Sequence, residues 1–294
     1  MKPSRYRRPG IPAGYRRHLV TVLLALTAAA MLCLSAVMAP SSSAGFLARI
    51  QNTVNKTGTA TYFICNDAVL ADASSAVFGY KLAETTGSTT AADFTPTPTN
   101  GTYRGSMTSD TTTARACPRD PGGAYTLNGS TSYISTPTLQ AGPTTFSLEI
   151  WFKTTTAGGK LIGFGNAQTG SSSSSDRHLY MTDTGRIVFG VYPNAVKTIT
   201  TALAYNDGAW HHAVATLSAA GMNLYLDGQK VATDPATTTA QAYNGYWRIG
   251  YDNLAGWAPT QPTNFFYKGS LRFAAVYTTA LTPTQITNHY NAGR

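Results

Sequence analysis

The chain has 294 residues, a formal net charge of +9, and 43% hydrophobic against 12% charged residues. That length suits one large domain or two small ones. The charge excludes no class by itself and gives no argument for nucleic acid: Lys2, Arg5, Arg7, Arg8, Arg16 and Arg17 put six basic residues and no acid before residue 45, leaving 16 basic and 13 acidic residues beyond it.

Residues 1–44 read as an export signal. A basic segment ends at His18, and an apolar run follows from Leu19 to Ala39. Ser42-Ser43-Ala44 places small residues at −3 and −1 for cleavage before Gly45; Val37-Met38-Ala39 is a second site, weakened by Pro40. Arg16-Arg17 has a twin-arginine look. The same run is long enough to span a bilayer as an uncleaved anchor, the one route by which this chain is expected to meet a membrane. Cys33 lies inside the run, and Ala30-Met31-Leu32 before it is no lipoprotein box. Secretion or cell-surface display is the expected destination.

Residues 45–62 read as an extended leader, and residues 63–294 as the folded domain. Cys65 and Cys117 are then the two cysteines of the mature chain. An even count in an exported protein favours a disulfide, with two independent buried thiols as the alternative. No C-x-x-C supports zinc.

Asp67–Asp72 suggests one helical turn and Phe78–Glu84 a first strand. Residues 85–112 are Thr-, Ser-, Gly- and Pro-rich loop with a short strand at Gly101–Gly105. Tyr125–Ser130 runs into an Asn-Gly turn, and Tyr133–Ser135 resumes beyond it. Residues 170–175 read as a flexible polar loop. Trp210–Ser218 and Met222–Leu226 alternate, with Val214, Leu224 and Leu226 assigned to a buried face, and Asp227-Gly228 suggests a type I′ hairpin turn. Many short strands between turn residues, and no long amphipathic helix, indicate an all-β sandwich.

The block Trp210-His211-His212-Ala213-Val214-Ala215-Thr216, followed by Met222 to Val231, resembles the laminin-G-like branch of the concanavalin A-like lectins. So do Phe146–Lys153, Lys160–Gly165, His178–Met181, Arg186–Val191, Trp247–Tyr251, Gly269–Tyr277 and the closing segment Leu281–Ile286. The resemblance implies a two-sheet antiparallel jelly roll with a short C-terminal helix. It fixes no ligand, since one fold hosts many functions.

Glucanases of this superfamily carry E-x-D-x-E on one strand, because glycosidase chemistry needs two carboxyl groups. This chain has only Glu84 and Glu149, neither in such a motif. Glu149 reads as structural. His211 and His212 point to opposite faces of a strand and cannot chelate one metal. His178 lies at a loop edge, His289 in the closing helix, and no G-x-S-x-G elbow is present. No catalytic residue is assigned.

Calcium is the family's usual metal, but Ala83, Arg272 and Phe273 stand where relatives carry acids, so no cofactor is expected. Asp183, Asp207 and Asp227 read as turn residues. Trp247 reads as core.

Trp257, in a Gly/Pro-rich loop, offers a stacking face or a core contact. With Asp176, Arg177, His178, Asp252 and Asn253 it makes the candidate ligand site. The alternative is an Arg177–Asp252 ion pair that pins the two loops. The expected work is non-catalytic binding of carbohydrate or another cell-surface component. A structural or adhesive surface protein without a small ligand, or a polysaccharide hydrolase, are the alternatives.

Overall fold

The structure, a computed structural model, describes residues 61–294. The segments expected to be an export signal, with its two candidate cleavage sites, and nearly all of the expected leader lie outside the described residues. The chain runs α1 (Cys65–Ala71), a 3-10 turn (Ala73–Ser75), β1 (Ala76–Tyr80), β2 (Thr90–Ala91), β3 (Gly101–Arg104), β4 (Thr108–Asp110), β5 (Ala124–Asn128), β6 (Tyr133–Ser135), β7 (Gln140–Ala141) and β8 (Phe146–Lys153). It continues with β9 (Gly159–Gly165), β10 (Ser175–Met181), β11 (Arg186–Val191), β12 (Lys197–Ala204), β13 (Trp210–Ser218), β14 (Gly221–Leu226), β15 (Gln229–Asp234), β16 (Asn244–Ile249), β17 (Lys268–Tyr277) and α2 (Pro283–Gly293).

The strands form two antiparallel sheets. The first has the order β15-β14-β13-β8-β17-β5-β4, with β1 also on β17. The second has the order β12-β11-β10-β9-β16-β6-β3-β2, with β7 on β16. This is the expected jelly-roll sandwich.

Strand β8 shows how the sequence builds it. Phe146, Leu148, Ile150 and Phe152 enter the core between the sheets, where Leu179, Met181, Phe189 and Trp247 also lie. Ser147, Glu149 and Trp151 take the opposite face, as the period of two requires. That face is covered too, by α1, α2 and neighbouring segments: Trp151 packs in a second cluster with Ile286 and Ala292. Each large apolar side chain buried this way contributes about 1.5–3 kcal/mol.

The second cluster explains a departure in β13. Ala213, Ala215 and Leu217 face the core with Leu224 and Leu226, whereas Val214 lies opposite Tyr225 on the helix-covered face. A sheet covered on both sides carries apolar residues in both phases, so Val214 does not mark the inner face.

Other elements depart as well. The first strand ends at Tyr80, and Leu82 has φ +56°, which breaks the extended run. Asn128-Gly129 is no hairpin turn: β5 and β6 belong to different sheets. The Asn128 side-chain oxygen accepts the amides of Ser130, Thr131 and Ser132 where the chain crosses over. Asp227 (φ +52°) and Gly228 (φ +77°) do make the positive-φ pair that a type I′ turn needs.

Cys65 and Cys117 are disulfide-bonded across a separation of 52 residues. The Asp120 carboxylate accepts the first amides of α1, from Cys65 at 2.8 Å and Asn66 at 3.1 Å. Later in the chain, Thr282 and Gln285 form a capping box around Pro283 and start α2, which packs beside α1.

The β16–β17 connection, residues 250–267, crosses the outer face of the second sheet as a strap. Leu254 and Trp257 pack on Tyr180 and Val188, and Asp183 accepts the amide and hydroxyl of Thr263. Gly190 makes the strap's close approach possible, since a Cβ there would lie 2.6 Å from the Trp257 ring.

Candidate binding surface

Asp176 and Arg177 open β10, and both are fully buried. The Asp176 carboxylate accepts the amides of Tyr192 (2.8 Å), Gln241 (2.6 Å) and Arg177 (2.6 Å), and Arg177 Nη1 at 3.2 Å. Arg177 spends its other donors on two carbonyls, Nε on Pro143 (2.9 Å) and Nη2 on Gln241 (3.0 Å). Its guanidinium also lies over the Phe164 ring, 5.4 Å from the centroid. Burial raises the Asp176 pKa, against the opposing effects of Arg177 and the amide donors. Burial likewise lowers that of Arg177, against Asp176.

Asp252 is equally occupied. Its carboxylate accepts the amide (3.0 Å) and hydroxyl (2.8 Å) of Ser172 and the amide of Asn253 (2.7 Å). Lys160 Nζ lies 3.8 Å away and Arg248 Nη1 3.9 Å away. Burial pushes Lys160 down to about 7, with Asp252 opposing and Arg248 reinforcing. Ser172 is buried and Asn166 accepts the amides of Ser173 and Ser174, so the serine segment expected to be flexible is tied down.

His178 lies 4.4 Å from Trp257, edge to face, and neither ring nitrogen has a hydrogen-bond partner among the described residues. Burial holds its pKa well below the ordinary value, and the nearby Lys160 and Arg177 charges add to this. It is a neutral ring in the packing beneath the strap. Trp257 is only 3% exposed.

The expected site therefore needs correction. Asp176, Arg177, His178 and Asp252 do gather at one rim, but behind the surface, and their polar groups do not face solvent. The ion pair is also different: Arg177 pairs with Asp176, while Asp252 faces Lys160 and Arg248. What these groups hold is the main chain of a surface depression of about 390 Å³, lined by Ser174, Ser175, Tyr192, Gln241, Asn253 and the edge of Trp257 among others.

Within that lining, Asn253 and Ser175 bind the rim itself, Asn253 Nδ2 to the Ser172 carbonyl (2.8 Å) and Ser175 Oγ to the Asn253 carbonyl (3.1 Å). Tyr192, 37% exposed, and the side chain of Gln241 point to no such internal partner among the described residues. Sequence reasoning missed both. The available signal was Tyr192 directly before Pro193-Asn194, an aromatic at a strand-to-turn junction.

The remaining chemistry-bearing groups have partners within the fold. Glu149 is buried between His212 (2.8 Å) and His289 (2.9 and 3.0 Å), and the Tyr277 hydroxyl donates to it at 2.7 Å. His211 bridges Asp207 (3.1 Å) and Asp227 (2.8 Å). At the position where the family resemblance implies an acid, Arg272 is buried and donates to the carbonyls of Ala116, Cys117, Asp120 and Pro121. A guanidinium surrounded by those oxygens does not fit a divalent cation, because it already supplies the positive charge.

No curated protein matches the chain significantly. Solved structures of similar fold include the botulinum neurotoxin serotype D/C binding domain, with TM-score 0.52 and 13% identity over 74% of this chain and 52% of that one. A second is botulinum neurotoxin type C, whose cell entry is described as dependent on interaction with two ganglioside molecules (TM-score 0.53, 12% identity, 75% of this chain and 52% of that one). A third is the neurotoxin DC binding domain in complex with rat synaptotagmin II (TM-score 0.51, 12% identity, 75% and 52%). The chain thus spans about half the length of each, and at these identities the likeness is one of fold. Residues 128–287 match the laminin-G-type family model of the Concanavalin A-like lectin/glucanases superfamily, and the chain belongs to that superfamily.

Proposed function

We propose that this is an exported, non-catalytic binding protein that recognises carbohydrate, and that the depression beside Tyr192 receives the sugar. The observation that carries the reading is an exposed aromatic ring beside polar side chains around one open depression. Sugars present C–H faces that pack on aromatic rings, and hydroxyls that need both donors and acceptors. Tyr192 supplies the first, and the Gln241 amide and Ser174 hydroxyl the second. The buried Asp176–Arg177 pair anchors the main chain of Tyr192 and Gln241, so the lining is in place before a ligand arrives.

The non-catalytic half of the reading rests on the carboxylates. Glu149 is one of only two glutamates in the chain and is consumed by two histidines and a tyrosine. Asp176 and Asp252 accept hydrogen bonds from main-chain and neighbouring side-chain donors. A glycosidase needs two carboxyl groups open to one bond. The ganglioside dependence of a neurotoxin with this fold supports a cell-surface glycan as partner class. The Cys65–Cys117 bond supports an oxidising, extracytoplasmic setting.

The test is a glycan array probed with the secreted protein, beside Tyr192→Ala and Gln241→Ala variants. The expected result is at least one glycan hit that weakens about tenfold or more in Tyr192→Ala. An array without hits, or hits indifferent to both substitutions, overturns the reading.

A further inference from the structure

Among the described residues that line the depression beside Tyr192, none carries a charge at neutral pH. The hydroxyls of Ser174 and Tyr192 and the amides of Gln241 and Asn253 supply polar surface, and Val196 and the edge of Trp257 supply apolar surface. Lys197 follows Val196 in the chain but does not line the depression. Charged groups do lie nearby, behind the surface and already matched. Asp176 and Arg177 are 3.2 Å apart and fully buried. Asp252 faces Lys160 at 3.8 Å and Arg248 at 3.9 Å, all three fully buried.

The lining mixes donors with acceptors. Ser175 Oγ gives its one hydrogen to the Asn253 carbonyl at 3.1 Å, so that oxygen has only lone pairs left to offer. The Gln241 side chain offers an oxygen beside its two N–H donors. A sugar hydroxyl donates and accepts at once, and satisfies both kinds of group. A carboxylate or a sulfate only accepts. Against this wall it would set lone pairs facing lone pairs, and it would give up hydration without gaining a cation.

We infer that this site selects neutral saccharides and rejects acidic ones, so that the unit it takes is an uncharged sugar and not a uronic, sialic or sulfated one. This rests on the carbohydrate reading above and narrows it. The Asp176–Arg177 pair fits the same selectivity: it fixes the main chain of Tyr192 and Gln241 and adds no net charge behind the lining. Discrimination arises from the cost of desolvating a charged ligand against an uncharged wall, which is specificity by exclusion. No ion pair forms between the neutral sugar and the lining, so salt has nothing to screen.

The experiment is titration calorimetry of the full chain with matched pairs: xylose-, glucose- and galactose-terminated oligosaccharides, each beside its uronic, sialylated or sulfated counterpart. The neutral member of a pair that binds should be about tenfold or more tighter than the acidic one. Its affinity should change by less than about twofold between low and high salt. Ala255→Lys and Ser174→Lys each place a cation in the lining, at side chains that make no hydrogen bond among the described residues. At least one of them should narrow the gap severalfold. Melting curves show whether either variant perturbs packing, and the other then carries the test. An acidic member that binds as well as its neutral partner, or a gap that both lysine variants leave unchanged, overturns the neutral selectivity while leaving a sugar site at Tyr192. No binding by any saccharide overturns the carbohydrate reading, and the selectivity with it.

Discussion

His289 of α2 reaches through the covered face of the first sheet and meets Glu149 of β8, its Nδ1 lying 2.9 and 3.0 Å from the two carboxylate oxygens. Its other nitrogen lies 3.0 Å from Asp72, just beyond α1, and Gln285 also donates to Asp72. The C-terminal helix is thus bolted to the sheet and to the segment after α1 by one chain of charge-assisted contacts. Burial alone would raise the Glu149 pKa, but the His289 charge and the hydrogen bonds from His212 and His289 hold it well below the usual carboxylate range. Burial would lower His289, yet Glu149 and Asp72 lift it to about 10.

These shifts give a pH window. The raised His289 contributes stability that is complete below its unfolded value of 6.5 and is lost as pH climbs through about 10. The depressed Glu149 contributes stability that is present above 4.5 and is lost as pH falls below it. Melting temperature should therefore peak between these values and decline on both sides. Glu149→Gln should lower the peak by on the order of 10 °C, since breaking a buried pair costs about 3–5 kcal/mol, and should flatten the alkaline decline. A variant that melts like the parent with an unchanged pH profile would refute the bolt.

Reduction of Cys65–Cys117 should also be costly. The bond closes a 52-residue loop. The chain-entropy model assigns about 4 kcal/mol to a loop of that size. Alkylation of the native, oxidised protein should label neither cysteine, and reduction should lower the melting temperature by on the order of 10 °C. Two thiols that react without prior reduction would disprove the pairing.

Arg272 makes a third case. Its side chain satisfies four main-chain carbonyls in the loop that contains Cys117 and Asp120. Burial, reinforced by Arg115 and opposed by Asp120, pushes its pKa down to about 10, still charged at neutral pH. Arg272→Met removes every donor and leaves buried acceptors unmatched, at a cost of about 3 kcal/mol or more. Calcium should not substitute for it. A site filled at micromolar calcium would add about 4 kcal/mol at millimolar metal, so melts with calcium and with chelator should coincide. A rise of several degrees with calcium would show that other oxygens form a site.

Much of this architecture was legible in the residues. Trp210 to Val231 alternates, turns at Asp227-Gly228 and folds as β13 to β15 as read. The even cysteine count agrees with the disulfide, and Glu149 is enclosed by His212, His289 and Tyr277. The inner face of β13 was not legible, because α2 covers the sheet's back and makes both phases apolar. The candidate site was half legible. Asp176, Arg177 and Asp252 do converge on one rim, but a charged residue at a loop edge looks exposed in sequence. Only the carbonyls of Pro143 and Gln241 and the hydroxyl of Ser172, distant in the chain, reveal these groups as buried supports. The strap over Gly190 was likewise hidden, since nothing local in residues 250–267 says which strands they cross.

The division between support and surface is itself testable by stability alone. Trp257 packs with Tyr180, Val188 and Leu254 at 3% exposure, so Trp257→Ala should cost about 3–5 kcal/mol and release the strap. Arg177→Ala should cost a similar amount, because it leaves the Asp176 carboxylate buried without its cation. Tyr192→Ala, at an exposed ring, should change stability by no more than about 0.5 kcal/mol. Thermal melts of the three variants, with hydrogen exchange of residues 250–267, separate the roles. The two buried variants should melt on the order of 10 °C lower, the Trp257 variant with faster exchange in the strap, while Tyr192→Ala should match the parent. If Tyr192→Ala proved as destabilising as Trp257→Ala, the ring would be a packing element, and the depression beside it would lose its claim as a preformed surface.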